Sequence, residues 1–269
     1  MLDIIKVIIL SIVEGVTEFV PVSSTGHLIL ANEFVALEPA SFANNFNVII
    51  QLGAIMAVVV LYFEKLNPFD KKKDKKKRQM TFNVWKKVIV GVLPAMVLGL
   101  LFDDIIDQYF FNVTVVAFAL FIWGLIIVLI EKREKTTKFK TVYDITYRTA
   151  FTVGLVQCLA MVPGTSRSAA TIIGGMLVGA SRVAAAEFSF FLAIPTMFGA
   201  TLLRLYKNGL VFTSWEWFLL ALGSVLSFIV SLIVIRVFLD YIKKHDFKIF
   251  GYYRMILSVI FMAYFLFIK

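Results

Sequence analysis

The chain has 269 residues, 60% hydrophobic and 17% charged, with a mean hydropathy of +0.87; a soluble domain is nearer half apolar and a quarter charged, so these values argue against one. The formal net charge of +9 is not a nucleic-acid footprint, because the basic residues sit in short stretches between apolar blocks, as in cytoplasmic loops. The single cysteine, Cys158, excludes an intramolecular disulfide and reads as a small core residue.

In chain order, the first segment carries Asp3, Lys6, Glu14 and Glu18, unlike the basic leader and clean apolar core of a cleavable signal. The apolar region Ile4–Ala36 is interrupted at Pro21 and Gly26. Proline lacks an N–H and restricts its predecessor, so this region is predicted to be two half-helices with a bend. Three uninterrupted spans follow, about Phe46–Phe63, Val84–Phe102 and Val113–Ile130. A second interrupted region, Tyr147–Val178, is broken at Pro163 and Gly164. Three more spans close the chain, about Glu187–Leu205, Trp217–Val237 and Phe250–Ile268. Blocks near ~20 apolar residues are long enough to cross a bilayer. The expected fold class is an all-α polytopic membrane protein in a single membrane domain.

Lys and Arg orient the spans. Asp70–Arg78, Glu131–Lys140 (with Lys132, Arg133, Lys135, Lys138 and Lys140) and Arg236–Lys248 are basic and read as cytoplasmic. Phe102–Asn112, with Asp103, Asp104 and Asp107, and Ala31–Asn45, with Glu33 and Glu38, contain no basic residue and read as outward-facing. With alternating spans, and Met1 outside, each interrupted region starts and ends on one side. Both become re-entrant hairpins, one from each face. Placing Pro21-Val-Ser-Ser24 over Pro163-Gly-Thr-Ser166 also puts Phe46 on Phe188 and Gly53 on Pro195; Glu14 and Gln157 match one residue further on. The expectation is an inverted-topology repeat, about 1–131 and 141–269, whose broken hairpins meet near the midplane.

The interrupted regions carry the chemistry. In Glu14-Gly-Val-Thr-Glu18, the two carboxylates are four residues apart and share a helix face. A carboxylate in hydrocarbon costs on the order of 3 kcal/mol on insertion scales, so the pair needs a divalent cation, a shared proton or Arg167. Ser23, Ser24 and Thr25 follow Pro21; Ser and Thr cap helix N-termini, where free N–H groups and the dipole attract anions. His27, three residues past Ser24, is spaced to reach that hydroxyl or its attacked phosphorus. Pro163-Gly-Thr-Ser166-Arg167-Ser168-Ala-Ala-Thr171 supplies one intramembrane guanidinium among hydroxyls, a fork that matches phosphate oxygens. The set suits a phosphorylated ligand, with a hard cation such as Mg²⁺ or Ca²⁺ bridging carboxylate and phosphate.

Glu14-Gly-x-Thr-Glu18-Phe-x-Pro-x-Ser-Ser-Thr-Gly-His27 and Pro163-Gly-Thr-Ser-Arg-Ser-x-x-Thr171 resemble the two signatures of bacterial undecaprenyl pyrophosphate phosphatases of the bacitracin-resistance type. Gln51-Leu-Gly and Gln157 also look like family positions; Ala169 departs from the usual Gly. The resemblance covers the whole chain. It implies hydrolysis of undecaprenyl pyrophosphate to undecaprenyl phosphate and inorganic phosphate, recycling the lipid carrier of cell-wall polymers. It implies too a divalent cation, an outward-facing site in the bacterial plasma (inner) membrane and bacitracin resistance. Position by position, Glu14 and Glu18 resemble the glutamates tied to metal or acid/base work, Ser24 the nucleophile or a phosphate ligand, His27 its partner and Arg167 the phosphate-binding arginine. Ser23, Thr25, Ser166, Ser168, Thr171 and Gln51 resemble substrate-binding residues. Serine attack and attack by an activated water stay open, as does a homodimer.

Another lipid-phosphatase class, the vanadium-haloperoxidase-like one, needs a histidine soon after Ser-Arg; Ser166-Arg167 is followed by Ser, Ala, Ala, Thr, Ile, Ile, Gly and Gly. The rival reading is a transporter or flippase for a phosphorylated polyprenyl lipid, which would bind the same head group without cleaving it. A membrane scaffold would leave the intramembrane charges unexplained.

Overall fold

The computed structural model describes residues 2–110, 112–133, 136–209 and 211–267, without the side chains of Asp103, Asp104, Asp107 and Asn208. The acidic side chains expected in the Phe102–Asn112 stretch, and Lys135 of the basic one, therefore lie outside the described set. The elements are helices: α1 (Leu2–Thr17), α2 (Ser24–Val35), α3 (Ala40–Leu61), the short α4 (Phe63–Leu66), α5 (Lys75–Phe110), α6 (Val113–Lys132), α7 (Tyr147–Gln157), α8 (Arg167–Leu177), α9 (Arg182–Asn208), α10 (Ser214–Lys244) and α11 (Lys248–Phe267). The helices α3, α5, α6, α9, α10 and α11 are long and apolar enough to cross a membrane; four contain their expected spans, while α3 ends at Leu61, short of the expected Phe63, and the last residue of the expected Phe250–Ile268 lies outside the described residues. Most overrun the expected starts, most of all α5, which begins at Lys75 rather than Val84. Lysine and arginine are good helix formers, so the second part of the basic stretch, from Lys75, joins the helix, while residues 70–74 form a loop.

The molecule is apolar on the outside. On α10, Val225, Ile229, Ile233 and Val237 recur every fourth residue and are exposed, while Ser227 and Ser231 on the opposite face are buried. That face distribution reverses the soluble pattern and fits a lipid solvent, where helices associate through small residues and interhelical hydrogen bonds. Ser231 donates to the Gly15 carbonyl on α1 at 3.2 Å. Ser258 on α11 donates to Ala117 on α6 at 2.7 Å.

Both interrupted regions are helix pairs. α1 pairs with α2, and α7 with α8; α1 then packs on α10 and α7 on α5. The bend in the first region lies between Thr17 and Ser24, around Pro21. Gly26, expected at the break, is inside α2 instead, in its first turn. In the second region the 3₁₀ turn Cys158–Met161 leads to Pro163 and Gly164, with Gly164 at φ 90°. Cys158 is only partly buried there, its thiol donating to the Gly154 carbonyl at 3.3 Å. Each second half-helix starts at a serine cap with positive φ: Ser23 (75°) takes the Gly26 N–H and Ser166 (74°) the Ala169 N–H. Non-glycine residues rarely adopt such backbone, at a cost of order 1–3 kcal/mol. The caps align Ser23 with Ser166, one residue away from the expected pairing of Ser24 with Ser166. The lead residues of α2 and α8 are thus Ser24 and Arg167.

α11 packs against α6 through two glycines. A Cβ on Gly124 would lie 2.7 Å from the Gly251 carbonyl oxygen, and one on Gly251 the same distance from that of Gly124. This backbone contact sets the position of Arg254, one turn beyond Gly251. Gly251→Val is expected to separate the two helices and lower stability by about 1–3 kcal/mol, seen as a lower thermal midpoint by fluorescence-detected size exclusion in detergent. An unchanged midpoint would mean that this contact does not set the α6–α11 spacing.

Candidate active site

Glu14 lies on α1 and is fully buried. Glu18 sits one turn later, its backbone N–H still bonded to the Glu14 carbonyl at 3.0 Å, so both carboxylates arrive at the first break on one helical surface. Glu18 is the junction of the site. Its Oε2 accepts the Ser24 hydroxyl at 2.6 Å, and its Oε1 accepts Nη2 of Arg167 at 3.2 Å. The leading residues of α2 and α8 therefore meet on one carboxylate. Neither oxygen of Glu14 has a hydrogen-bond partner among the described residues. A buried carboxylate so placed is expensive unless neutralised.

Arg167 is held from two sides. Nη1 donates to the Ser189 carbonyl on α9 at 3.0 Å, and Nη2 to Glu18. Nε is buried without a partner, so donors remain for an incoming anion among the five that a guanidinium offers. Around it, Thr171 donates to the Arg167 carbonyl at 2.8 Å and shares a 2.6 Å hydrogen bond with the Ser189 hydroxyl. The Ser166 and Ser168 hydroxyls are 3.0 Å apart. Ser168 donates to the Val20 carbonyl at 3.1 Å, tying the second hairpin to the first break. In the first turns of α2 and α8, the amides of Gly26 and Ala169 go to the caps. The amides of Ser24, Thr25, Arg167 and Ser168 precede the first intrahelical bonds and are available to an anion.

His27 departs from its expected contact. Ser24 engages Glu18, while His27 Nδ1 faces the Ser23 carbonyl at 2.7 Å and Nε2 the Tyr253 hydroxyl at 2.6 Å. A carbonyl can only accept, so Nδ1 carries the proton and neutral Nε2 takes the tyrosine O–H. The rings of His27 and Tyr253 stack, 6° from parallel. Ser24 and His27 are three residues apart on α2, yet their side chains engage different neighbours. Glu14, Glu18, Ser23, Ser24, Ser166, Arg167, Ser168 and Thr171 are brought together, with Thr25 in the same first turn. Gln51 is half-buried on α3, and no hydrogen bond among the described residues ties it to this group. Gln157, which matches Glu14, donates to Thr196 at 3.5 Å.

Sequence reasoning missed Ser189, Tyr253 and Arg254. Arg254 is fully buried on α11, donating to backbone carbonyls of α6 and of both breaks: Leu120, Pro21, Gly164 and Thr165. An ionisable residue within the apolar run Phe250–Ile268 is itself a signal of function in a membrane span. Nothing in the local pattern marks Ser189 or Tyr253.

Fold and site together define a polytopic helical membrane protein with a buried polar centre whose donors suit a phosphorylated ligand. The family model for bacitracin resistance protein BacA matches residues 7–260, and the chain belongs to that family. It is 55% identical to undecaprenyl-diphosphatase 1 of Clostridioides difficile (strain 630), over 98% of this chain and 97% of the relative. It is 57% identical to an undecaprenyl-diphosphatase of Fusobacterium nucleatum (94% and 97% covered) and 52% identical to one of Enterococcus faecalis V583 (97% of each).

A lysine at position 167 keeps the charge but cannot hold Ser189, Glu18 and an anion at once. Arg167→Lys is expected to weaken inorganic pyrophosphate binding more than about tenfold by calorimetry. Unchanged affinity would place the anion away from Arg167.

Proposed function

We propose that this chain is a membrane phosphatase that hydrolyses undecaprenyl diphosphate to undecaprenyl phosphate and inorganic phosphate. It thereby recycles the lipid carrier of cell-wall polymers and confers resistance to bacitracin, which sequesters the same substrate. The observation that carries the reading is the Glu18 carboxylate held between the Ser24 hydroxyl and the Arg167 guanidinium. A nucleophile, its base and a phosphate clamp then converge at two helix N-termini. The names of the relatives supply the lipid.

Arg167 and the first-turn amides of α2 and α8 hold the diphosphate, and charge stabilisation supplies most of the rate. The 2.6 Å contact with Glu18 favours Ser24 as the attacking group. Ser24 Oγ bonds to the terminal phosphorus as its proton passes to Glu18 Oε2. The bond from that phosphorus to the bridging oxygen breaks, and undecaprenyl phosphate leaves with the proton. Water then attacks the phosphoserine; one of its protons returns through Glu18 to Ser24, and inorganic phosphate departs. Glu14, buried and without a hydrogen-bond partner, is the residue that would hold a divalent cation, Mg²⁺ or Ca²⁺, with Glu18 beside it. When bound, the cation supplies charge neutralisation for the diphosphate. His27, held by the Ser23 carbonyl and the Tyr253 hydroxyl, braces the first turn of α2 beside Ser24.

The two halves form an inverted repeat with re-entrant hairpins, α1–α2 and α7–α8, in the plasma (inner) membrane of a bacterium, with the site open to the outer face. Supporting this are the paired positive-φ serine caps, the matching packing of α1 on α10 and α7 on α5, and the three basic stretches, which the positive-inside rule assigns to one side. A transporter would use the same architecture but would release no phosphate in detergent, where no second compartment exists.

Purified protein is expected to release phosphate from a polyprenyl diphosphate with Mg²⁺ or Ca²⁺ and not with chelator. Arg167→Ala should lower kcat/KM by about 10²–10³-fold. No release from well-folded protein with either cation would sink the phosphatase and promote the transporter. Rapid acid quench of wild type should trap a phosphoserine that Ser24→Ala lacks. A Ser24→Ala variant with near wild-type turnover would instead assign the attack to water.

A further inference from the structure

We infer that Arg254 is a positioning residue of the phosphate site: it holds both helix breaks in one arrangement and so aims the N-termini of α2 and α8 at a common point. The inference rests on the phosphatase reading above. Three observations carry it.

The first is burial without a carboxylate. Arg254 has no exposed surface, and an arginine in the middle of a span is costly. Its partners are carbonyl oxygens: Leu120 through Nε at 3.4 Å, Pro21 through Nη1 at 3.2 Å, and Gly164 and Thr165 through Nη2 at 2.7 and 3.0 Å. The second is where these carbonyls lie. Pro21 is two residues before the cap Ser23; Gly164 and Thr165 immediately precede the cap Ser166. Both caps carry positive φ, a conformation that persists only where the surroundings over-determine it. The third is peptide planarity. In a trans peptide the C=O and the following N–H point in opposite directions. With the Thr165 carbonyl turned to the guanidinium, the Ser166 N–H faces away from Arg254, at the threshold of α8.

A fork of donors in one plane can span two breaks and α6 at once, whereas an ammonium is a single point. Arg254 also places a positive charge behind the two N-termini without itself being the phosphate clamp, the role assigned to Arg167. Catalysis depends on these two ends staying in register, and a displacement near 1 Å can cost about 10²-fold.

The experiment compares wild type with Arg254→Lys in detergent, measuring kcat and KM for phosphate release per folded molecule and the thermal midpoint. The expected result is a folded Arg254→Lys protein whose kcat falls by about 10²-fold while KM changes less than about threefold, because Arg167 and the lipid tail still bind. A lowered midpoint with kcat within about threefold of wild type would make Arg254 a structural residue only and overturn the inference. If Arg254→Lys does not fold, Arg254→Gln, which keeps an amide donor, is read in the same way. Failure of both to fold also overturns it, since Arg254 would then be a folding residue. A wild type that releases no phosphate would sink the phosphatase reading itself, an outcome distinct from any of these.

Discussion

Hydrocarbon cannot solvate a peptide group, so a helix can be broken at membrane depth only where the freed carbonyls and amides find partners within the protein. This chain breaks two helices and satisfies both breaks from neighbouring elements. Pro21, Gly164 and Thr165 give their carbonyls to Arg254, and Val20 gives its carbonyl to Ser168. The serine caps consume one amide each and leave the leading amides of α2 and α8 open. The same arrangement that makes the breaks tolerable leaves donors at two helix N-termini, where an anion is attracted by geometry and dipole together. α11 is held against α6 by the Gly124–Gly251 contact and delivers the guanidinium to this place.

The charges at the centre are sparse and unequally used. Glu18 has both oxygens engaged, one by a hydroxyl and one by a guanidinium; Glu14, one turn earlier, has neither. Two carboxylates of identical chemistry thus have different surroundings. Arg167 keeps an unpaired Nε while its terminal nitrogens are fixed by Ser189 and Glu18, so it is oriented before any anion arrives. Preorganised donors of this kind strengthen most in a site from which water is excluded.

Most of the site residues were legible because carboxylate, guanidinium and serine-rich segments stand out in apolar sequence, each next to a proline that cannot continue a helix. Their partners were less so. Tyr253 lies 226 positions from His27, and an aromatic residue in a membrane span carries no local mark of function. Ser189 serves Arg167 through its backbone carbonyl, which no side-chain pattern can reveal. Arg254 was visible as a charge within an apolar run, but its role lies in four carbonyls contributed by distant segments.

The amino-acid sequence by itself determined the class of molecule, the six spans, the two interruptions and the kinds of group at the centre. These follow from local quantities: apolar run length, the missing amide of proline and the cost of charge in lipid. Only the tertiary structure decided which group meets which. It paired Ser24 with Glu18 rather than His27, moved the cap alignment to Ser23 and Ser166, left Gly26 inside a helix and placed Arg254 across both breaks. Those outcomes depend on the packing of helices far apart in the chain, where the direction of a single carbonyl or the absence of one Cβ sets which side chains come within hydrogen-bond reach.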